Sequence, residues 1–339
     1  MKPYKEIASV TELSSEEYCK DYLGKSIPVV IRGGAKNMSA FRNWTADYLK
    51  FVIGSKVVDI SQSTSGVFNY HKKEVKILHM PFDEAVDYLN KNNSVYIQMA
   101  SIAKDYPEIL GDIEEPQWME KTDVMKKTNF WFGGGGCVSP LHFDNYQNFL
   151  VQIMGRKELT LFSPEDTKYL YSNTKGEHNL SQISLIDLEH PDENEFPLLK
   201  EAQGYKVVLG PGDILYIPLN WWHHVKTLDL SISINFWFSR FEFVDGYGYD
   251  SESTENLKNT VKAFLDCGVN IDHRNYEGET NLLIACDKGH LNIVKALLEM
   301  GANPEIKSKK NEGLNASELA AKRGYSEIVK LFQETSINK

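Results

Sequence analysis

The run His142-Phe143-Asp144-Asn145-Tyr146-Gln147-Asn148-Phe149 decides how this chain is read. It follows Gly133-Gly134-Gly135-Gly136 and Ser139-Pro140, and leads into the apolar stretch Phe149-Leu150-Val151-Gln152-Ile153. Side chains two apart on a β-strand point to the same face, so His142 and Asp144 present an imidazole and a carboxylate together. A third ligand from a distant strand would complete a two-histidine, one-carboxylate face with open positions, which suits a non-haem ferrous ion. The His-x-Asp spacing alone is not specific, because His190-Pro191-Asp192 repeats it in a charged, proline-bearing stretch. Only His142 is set between glycine punctuation and an apolar strand, where backbone can be held rigidly around an ion. The distal candidates are His223 and His224, at the end of Gly210-Pro211-Gly212-Asp213-Ile214-Leu215-Tyr216-Ile217-Pro218-Leu219-Asn220-Trp221-Trp222-His223-His224.

Outward from this run, Asn129 to Phe238 reads as short strands punctuated by Gly and Pro. From Leu228 to Phe238 every even position is apolar, while the odd face reads Asp229, Ser231, Ser233, Asn235, Trp237. A half-buried edge strand gives that alternation, and so does a small barrel with a polar interior. Upstream, Pro28-Val29-Val30-Ile31 is a short apolar run and Met80 to Leu89 carries helical spacing. The expected class is a β-rich core flanked by helices.

The tail repeats. Leu265 and Gly268 recur as Leu298 and Gly301, and Gly278, Ala285, Gly289 and Val294 recur as Gly313, Ala320, Gly324 and Val329. Periods of this length signal stacked helical pairs. The segment Glu277 to Ala285, with Lys288-Gly289-His290 and Gly301-Ala302-Asn303, resembles an ankyrin repeat, in about two and a half copies. The boundaries read as a domain over 1–245, a linker over 246–256 that continues Asp245-Gly246-Tyr247-Gly248, and repeats over 257–339. His273 and His290 fall at turns of the repeat. The tail is either a recruiting surface or a packing element, for instance of a homodimer.

Composition sets limits. The chain has 339 residues, with 37 basic against 47 acidic, net −10, and the first 250 residues carry −9 of it. An acidic surface is poorly suited to a phosphate backbone, so a nucleic-acid partner is disfavoured. No apolar run reaches bilayer length, so no membrane partner is expected, and the N-terminus shows no signal-peptide pattern. The four cysteines (Cys19, Cys137, Cys267, Cys286) form no CxxC pair. That points to a reducing compartment, the cytoplasm.

The stretch Asn129 to Trp237 resembles the JmjC/cupin branch of the 2-oxoglutarate-dependent Fe(II) dioxygenases, and within it the factor-inhibiting-HIF type of asparaginyl hydroxylase. The resemblance is carried by His142 to Phe149, Gln152-Ile153-Met154-Gly155-Arg156-Lys157, Leu161-Phe162-Ser163-Pro164, Gly210 to His224, and Asn235-Phe236-Trp237. It implies a double-stranded β-helix (cupin, or jelly-roll) barrel with flanking helices, and Fe(II), 2-oxoglutarate and O2 as cofactors. It implies His142, Asp144 and His223 as iron ligands. Lys157 would face the distal carboxylate of 2-oxoglutarate, with Ser139 and Tyr96 bonded to the same group and Asn148 and Asn235 nearby. Gln98, Gln182, Ile183 and Trp237 would border the substrate. The odd face of the last strand would then point inward, and His224 would support the site from outside.

The reaction implied is oxidative decarboxylation of 2-oxoglutarate to succinate, coupled to hydroxylation of a C–H bond. A protein or peptide side chain is the first substrate reading. Where the asparaginyl hydroxylases carry an Arg-Gln pair, this chain has Gln182-Ile183, a departure that counts against asparagine specificity. Oxidation of a tRNA base or of a lysine methyl group would use the same chemistry. An ankyrin-type scaffold with a vestigial metal site is the non-enzymatic alternative, against which the complete ligand set and Lys157 argue.

Overall fold

The computed structural model describes residues 2–23, 25–68, 75–119, 124–144, 146–173, 180–239, 271–272, 274 and 278–337. The expected linker over 246–256, the half-repeat over 257–270 and His273 lie outside the described residues. Contacts divide the chain into two compact units, Met1–Ser239 and Arg240–Lys339.

The first unit is built from sixteen described strands: β1 (Lys5–Glu6), β2 (Ser9–Val10), β3 (Val29–Ile31), β4 (Val57–Ser63), β5 (Val75–Pro81), β6 (Val95–Ser101), β7 (Val124–Gly133), β8 (Val138–Phe143), β9 (Gln147–Met154), β10 (Lys157–Phe162), β11 (Ser172–Asn173), β12 (Leu180–Ser184), β13 (Gly204–Leu209), β14 (Ile214–Ile217), β15 (Trp222–Thr227) and β16 (Ser231–Ser239). They form a seven-stranded sheet, β1-β13-β10-β15-β8-β12-β11, and a nine-stranded sheet, β2-β3-β14-β9-β16-β7-β6-β4-β5. Strands from the two sheets alternate along the chain from β7 to β10 and from β13 to β16, giving the jelly-roll form of a β-sandwich.

Strand β16 lies between β7 and β9, at the centre of the larger sheet. The edge-strand reading of its alternation is therefore wrong. Its even residues Ile232, Ile234, Phe236 and Phe238 join Phe130, Phe132, Phe149 and Val151 in the largest core cluster. Against that outer face pack α1 (Ser39–Asn43), α2 (Ala46–Ile53) and α3 (Phe82–Lys91), which contribute Ala40, Leu49, Ile53, Phe82, Ala85, Val86 and Leu89. The helical spacing of Met80–Leu89 thus becomes a helix starting at Phe82, with Met80 still in β5. The odd face of β16 is buried as well, but it points between the sheets.

The space between the sheets has two halves. Near β10, β13, β14 and β9 it is filled by Val30, Leu150, Leu159, Leu161, Val207, Leu209, Leu215 and Ile217. Near β15, β8, β16, β7 and β6 it holds polar side chains, among them Asn129, Asn148, Lys157, His223, Ser233 and Asn235. An apolar wedge thus closes one side of the sandwich and leaves polar groups on the other.

The turn from β9 to β10 depends on Gly155. It has φ +68°, and a Cβ there would lie 2.2 Å from the Leu230 carbonyl oxygen. Backbone cannot retreat cheaply, and the conformation itself disfavours side chains. Gly155→Ala is expected to destabilise the unit by about 2–4 kcal/mol, lowering Tm by roughly 5–15 °C in a thermal melt. An unchanged melt would show that this turn bears no such constraint.

Among its described residues the second unit shows two helical pairs. They are α4 (Asn281–Lys288) with α5 (Leu291–Glu299), and α6 (Ala316–Arg323) with α7 (Ser326–Ile337). Thr280 caps α4 by accepting from Leu283 N, and Asn315 with Glu318 forms a capping box on α6. Gly289 and Gly324 end these helices in the left-handed conformation, which is why both repeat in the sequence. Leu282, Leu283, Val294, Leu297, Leu319, Ala320, Ile328 and Phe332 form the shared core. Among the described residues, no helix is long and apolar enough to cross a membrane.

Candidate metal centre

Strands β8 and β15 are antiparallel neighbours whose register sets His142 opposite His223. Directly opposed residues share a face, so both imidazoles point between the sheets. Their ring centroids are 4.2 Å apart. β8 ends at Phe143, and Asp144 follows one residue beyond it, its backbone oxygen accepting from Asn220 N at 3.0 Å. His223 Nε2 and Asp144 Oδ2 are 3.6 Å apart, and the candidate ligand atoms of His142, Asp144 and His223 all lie within 4.8 Å of one another. Among the described residues this is the one group of three such side chains that could hold a metal ion.

The donor chemistry fits a metal. His142 Nδ1 lies 2.7 Å from the Pro140 carbonyl oxygen, and His223 Nδ1 lies 2.9 Å from that of Trp221. A carbonyl only accepts, so each Nδ1 carries the proton and each Nε2 keeps its lone pair for the centre. Burial, reinforced by the neighbouring His142, pushes His223 down to about 4, so its ring is neutral at physiological pH. Two imidazoles and one carboxylate on one face suit Fe(II) with positions to spare.

His224 leaves β15 on the other face, towards Glu189, whose Oε1 is 3.7 Å away. Glu189 also pairs with Lys226. The competing motif, His190-Pro191-Asp192, lies in a loop where the His190 side chain is 89% exposed, which leaves it outside any built site.

A β-bulge decides the position of Ser139. Three residues from His142, it would face outward on a regular strand. The pairing shifts between His223 and Val225, so that Ser139 opposes Val225, whose side chain packs into the interior cluster. The bulge therefore turns Ser139 to the same face as His142.

Lys157 opens β10 and is 2% exposed, although it carries a strongly hydrated ammonium. It donates to Tyr96 Oη at 3.0 Å and to Ser233 Oγ at 2.6 Å, and stands 5.9 Å from the Trp131 ring centroid. Among the described residues no carboxylate pairs with it, and burial lowers its pKa to about 7. A buried ammonium held by hydroxyls alone is a site prepared for an anion.

The remaining expected residues line the same interior, except Gln182. Asn235 Oδ1 accepts from Asn129 Nδ2 at 3.1 Å and from Trp131 Nε1 at 2.9 Å. Asn148 opposes Trp237 across β9 and β16. Asn148 Oδ1, Trp237 Nε1 and Gln98 Nε2 are buried without a hydrogen-bond partner among the described residues. Tyr146 stacks on Trp237 at 5.5 Å and 12°. Ile183 on β12 opposes His142 and shares its face, whereas the adjacent Gln182 points to the other side of the sheet.

Sequence reasoning did not single out Ser233, Trp131 or Tyr146. The first two had a signal in period-two alternation, since Ser233 lies two before Asn235 and Trp131 two after Asn129. Tyr146 had none, because its stacking depends on how the chain turns after Asp144.

Comparison with known proteins agrees with this geometry. Residues 14–242 match the family model described as a cupin-like domain, and residues 251–339 match the model for ankyrin repeats in three copies. The chain is 35% identical over 247 residues to lysine-specific demethylase 8 of Danio rerio, covering 70% of this chain and 60% of that protein. It is 34% identical over 244 residues to JmjC domain-containing protein D of Dictyostelium discoideum, covering 65% and 53%. It is 29% identical over 283 residues to tRNA wybutosine-synthesizing protein 5 of Gallus gallus, covering 77% and 85%. The chain thus spans only about half to three-fifths of the length of the first relatives it matches.

Proposed function

This chain belongs to the cupin-like, JmjC-type family of Fe(II)/2-oxoglutarate oxygenases, and we propose that it hydroxylates a side chain of a protein substrate in a reducing compartment, the cytoplasm. The observation that carries the enzymatic reading is one interior holding both the His142/Asp144/His223 face and a buried Lys157 that meets no carboxylate among the described residues. A decayed scaffold has no reason to keep a buried ammonium that costs stability unless an anion occupies it.

His142, Asp144 and His223 would hold Fe(II), and Lys157 would hold the terminal carboxylate of 2-oxoglutarate. When bound, the iron with 2-oxoglutarate and O2 supplies the oxidation that replaces a substrate C–H by C–OH, with CO2 and succinate as coproducts. The protein contributes position and dryness. The carbonyls of Pro140 and Trp221 fix the two imidazoles, so their lone pairs need no reorientation. Asn129 and Trp131 hold Asn235, and the stacked Tyr146 and Trp237 supply an aromatic wall. No protein nucleophile or general base is needed for this chemistry.

For the substrate, the support is the acid excess of the first 250 residues, which favours a neutral or basic protein segment over nucleic acid. Ile183 beside His142 gives an apolar neighbour where an amide-reading side chain would be needed, which weighs against asparagine. A second reading, oxidation of a lysine methyl group, is favoured by the name of the relative at 35% identity, lysine-specific demethylase 8. The two readings differ only in the C–H bond attacked. An N-methyl group hydroxylated at its carbon breaks its C–N bond and leaves as formaldehyde, whereas a hydroxylated side-chain carbon keeps its oxygen.

The test is turnover of 2-oxoglutarate to succinate with a panel of peptides and methylated peptides, read by mass spectrometry. The proposal expects a product heavier by one oxygen atom. A product lighter by one CH2 would favour the second reading, and turnover stimulated only by tRNA would contradict both.

A further inference from the structure

We propose that Gln147 is a positioning residue for the metal centre. Its side-chain carbonyl ties the turn that delivers His223 to the strand that follows Asp144, and so fixes the spacing between those two ligands. The inference rests on the reading of His142, Asp144 and His223 as one metal site, and gives a role to a member of the His142–Phe149 run that the chemistry leaves unused.

The ladder between β8 and β15 sets His142 opposite His223 and Phe143 opposite Trp222, and there it ends. Asp144 lies one residue beyond it, where the chain leaves the smaller sheet for the larger one and β9 begins at Gln147. A second crossing runs beside the first in the opposite sense, from Ile217 at the end of β14 in the larger sheet to Trp222 at the start of β15 in the smaller. The distance from Asp144 to His223 is therefore set by how these two crossings are fastened together, and no strand pairing fixes it.

Three hydrogen bonds fasten them. Asn220 N donates to the Asp144 carbonyl oxygen at 3.0 Å. Leu219 N donates to Gln147 Oε1 at 3.1 Å, and Tyr216 Oη donates to the same oxygen at 2.6 Å. A backbone N–H only donates, so the atom of Gln147 that faces Leu219 must be its acceptor. Both ends of this clamp are firm. The Gln147 backbone pairs with Phe238 in the larger sheet, and Tyr216 is fully buried, its ring 5.0 Å from that of Tyr18 and 5.4 Å from that of Phe149. The turn itself needs holding. Trp221 N bonds back to the Pro218 carbonyl at 3.2 Å, with Asn220 between them at φ +61°, a conformation that costs energy for any residue with a side chain. The turn ends at Trp221, whose carbonyl oxygen lies 2.9 Å from His223 Nδ1. A turn released from Gln147 thus loosens the support of Asp144 and of the His223 ring together.

The experiment is calorimetric titration of the metal-free full chain with Mn(II), well below the melting temperature, with a thermal melt of each protein. The proteins are wild type, Gln147→Met, Gln147→Glu and Tyr216→Phe. Methionine matches the length of glutamine and lacks the strong acceptor, so Gln147→Met should weaken Mn(II) binding about tenfold, the lower end of what loss of a ligand's support costs. Glutamate still accepts from both donors, so Gln147→Glu should bind Mn(II) at least as tightly as wild type. Tyr216→Phe removes one of the two donors and keeps the ring packing; a loss of about threefold is expected, and it carries the test alone if Gln147→Met does not fold. Unchanged Mn(II) affinity in Gln147→Met and Tyr216→Phe, whatever the melts show, would make the clamp purely structural and overturn the assignment. So would equal losses in Gln147→Met and Gln147→Glu. A wild-type chain that takes up no Mn(II) would instead overturn the metal centre itself, a result distinct from either.

Discussion

Asp144→Ala should weaken Mn(II) or Fe(II) binding by more than about a hundredfold and abolish 2-oxoglutarate decarboxylation, while leaving the fold intact. The size follows because removing even a residue that supports a metal ligand costs about 10–100-fold, and this change removes a ligand itself. The fold should survive because Asp144 lies beyond the end of β8, with its side chain 19% exposed and outside the hydrophobic clusters. Its tertiary tie is the backbone bond from Asn220, which alanine keeps. His223→Ala would test the same site less cleanly, since His223 is buried between strands and its loss leaves a void. Metal titration with a thermal melt of Asp144→Ala separates the two effects. Near-normal metal affinity in this variant would move the metal elsewhere.

Lys157→Met should act in opposite directions on binding and on stability. Affinity for 2-oxoglutarate should fall by roughly 2–5 kcal/mol, about thirtyfold to several thousandfold, because the anion would be buried without its cation. The ligand-free protein should be at least as stable as wild type, since an unpaired buried charge gives way to an apolar side chain of similar length. The pH dependence has a definite sign. Burial lowers Lys157 to about 7 in the ligand-free fold, while an unfolded lysine titrates near 10.4. The fold is thus penalised most at and below pH 7, and ligand-free wild type gains stability as pH rises from about 7 towards 10. Binding runs the other way, because the carboxylate needs the charged form. Between pH 7 and 9 the dissociation constant should rise by up to about tenfold per unit, with uptake of close to one proton. Calorimetry in buffers of different ionisation enthalpy measures that uptake. A pH-independent affinity without proton uptake would mean that Lys157 is not the carboxylate partner.

The architecture was legible where period-two alternation is strong. Leu228 to Phe238 gave its two faces correctly, but alternation cannot tell a central strand from an edge one, and the pairing with β7 and β9 resolved that. The helical pairs of the tail were legible because Gly289 and Gly324 are needed at the same turn of each repeat. In the site, the His-x-Asp spacing becomes informative only with His223 opposite His142, a register that no local pattern encodes. Ser139 shows the limit most clearly. Counting from His142 puts it on the wrong face, and only the bulge opposite His223 and Val225 brings it inward. Ser233 stood on the correct face throughout, but its importance lies in a contact with Lys157 across the sandwich. Contacts between sheets are set by packing and leave no trace in spacing.

The most direct test of the central claim is anaerobic titration of the metal-free chain with Fe(II) and then 2-oxoglutarate, followed by the visible charge-transfer absorption that a ferrous ion acquires when a 2-oxo acid chelates it. The account predicts one iron per chain, one 2-oxoglutarate per iron, a band that requires both, loss of the band in Asp144→Ala, and a large shift in its midpoint in Lys157→Met. A chain that bound 2-oxoglutarate equally well without metal, or an Asp144→Ala variant that developed the full band, would contradict it.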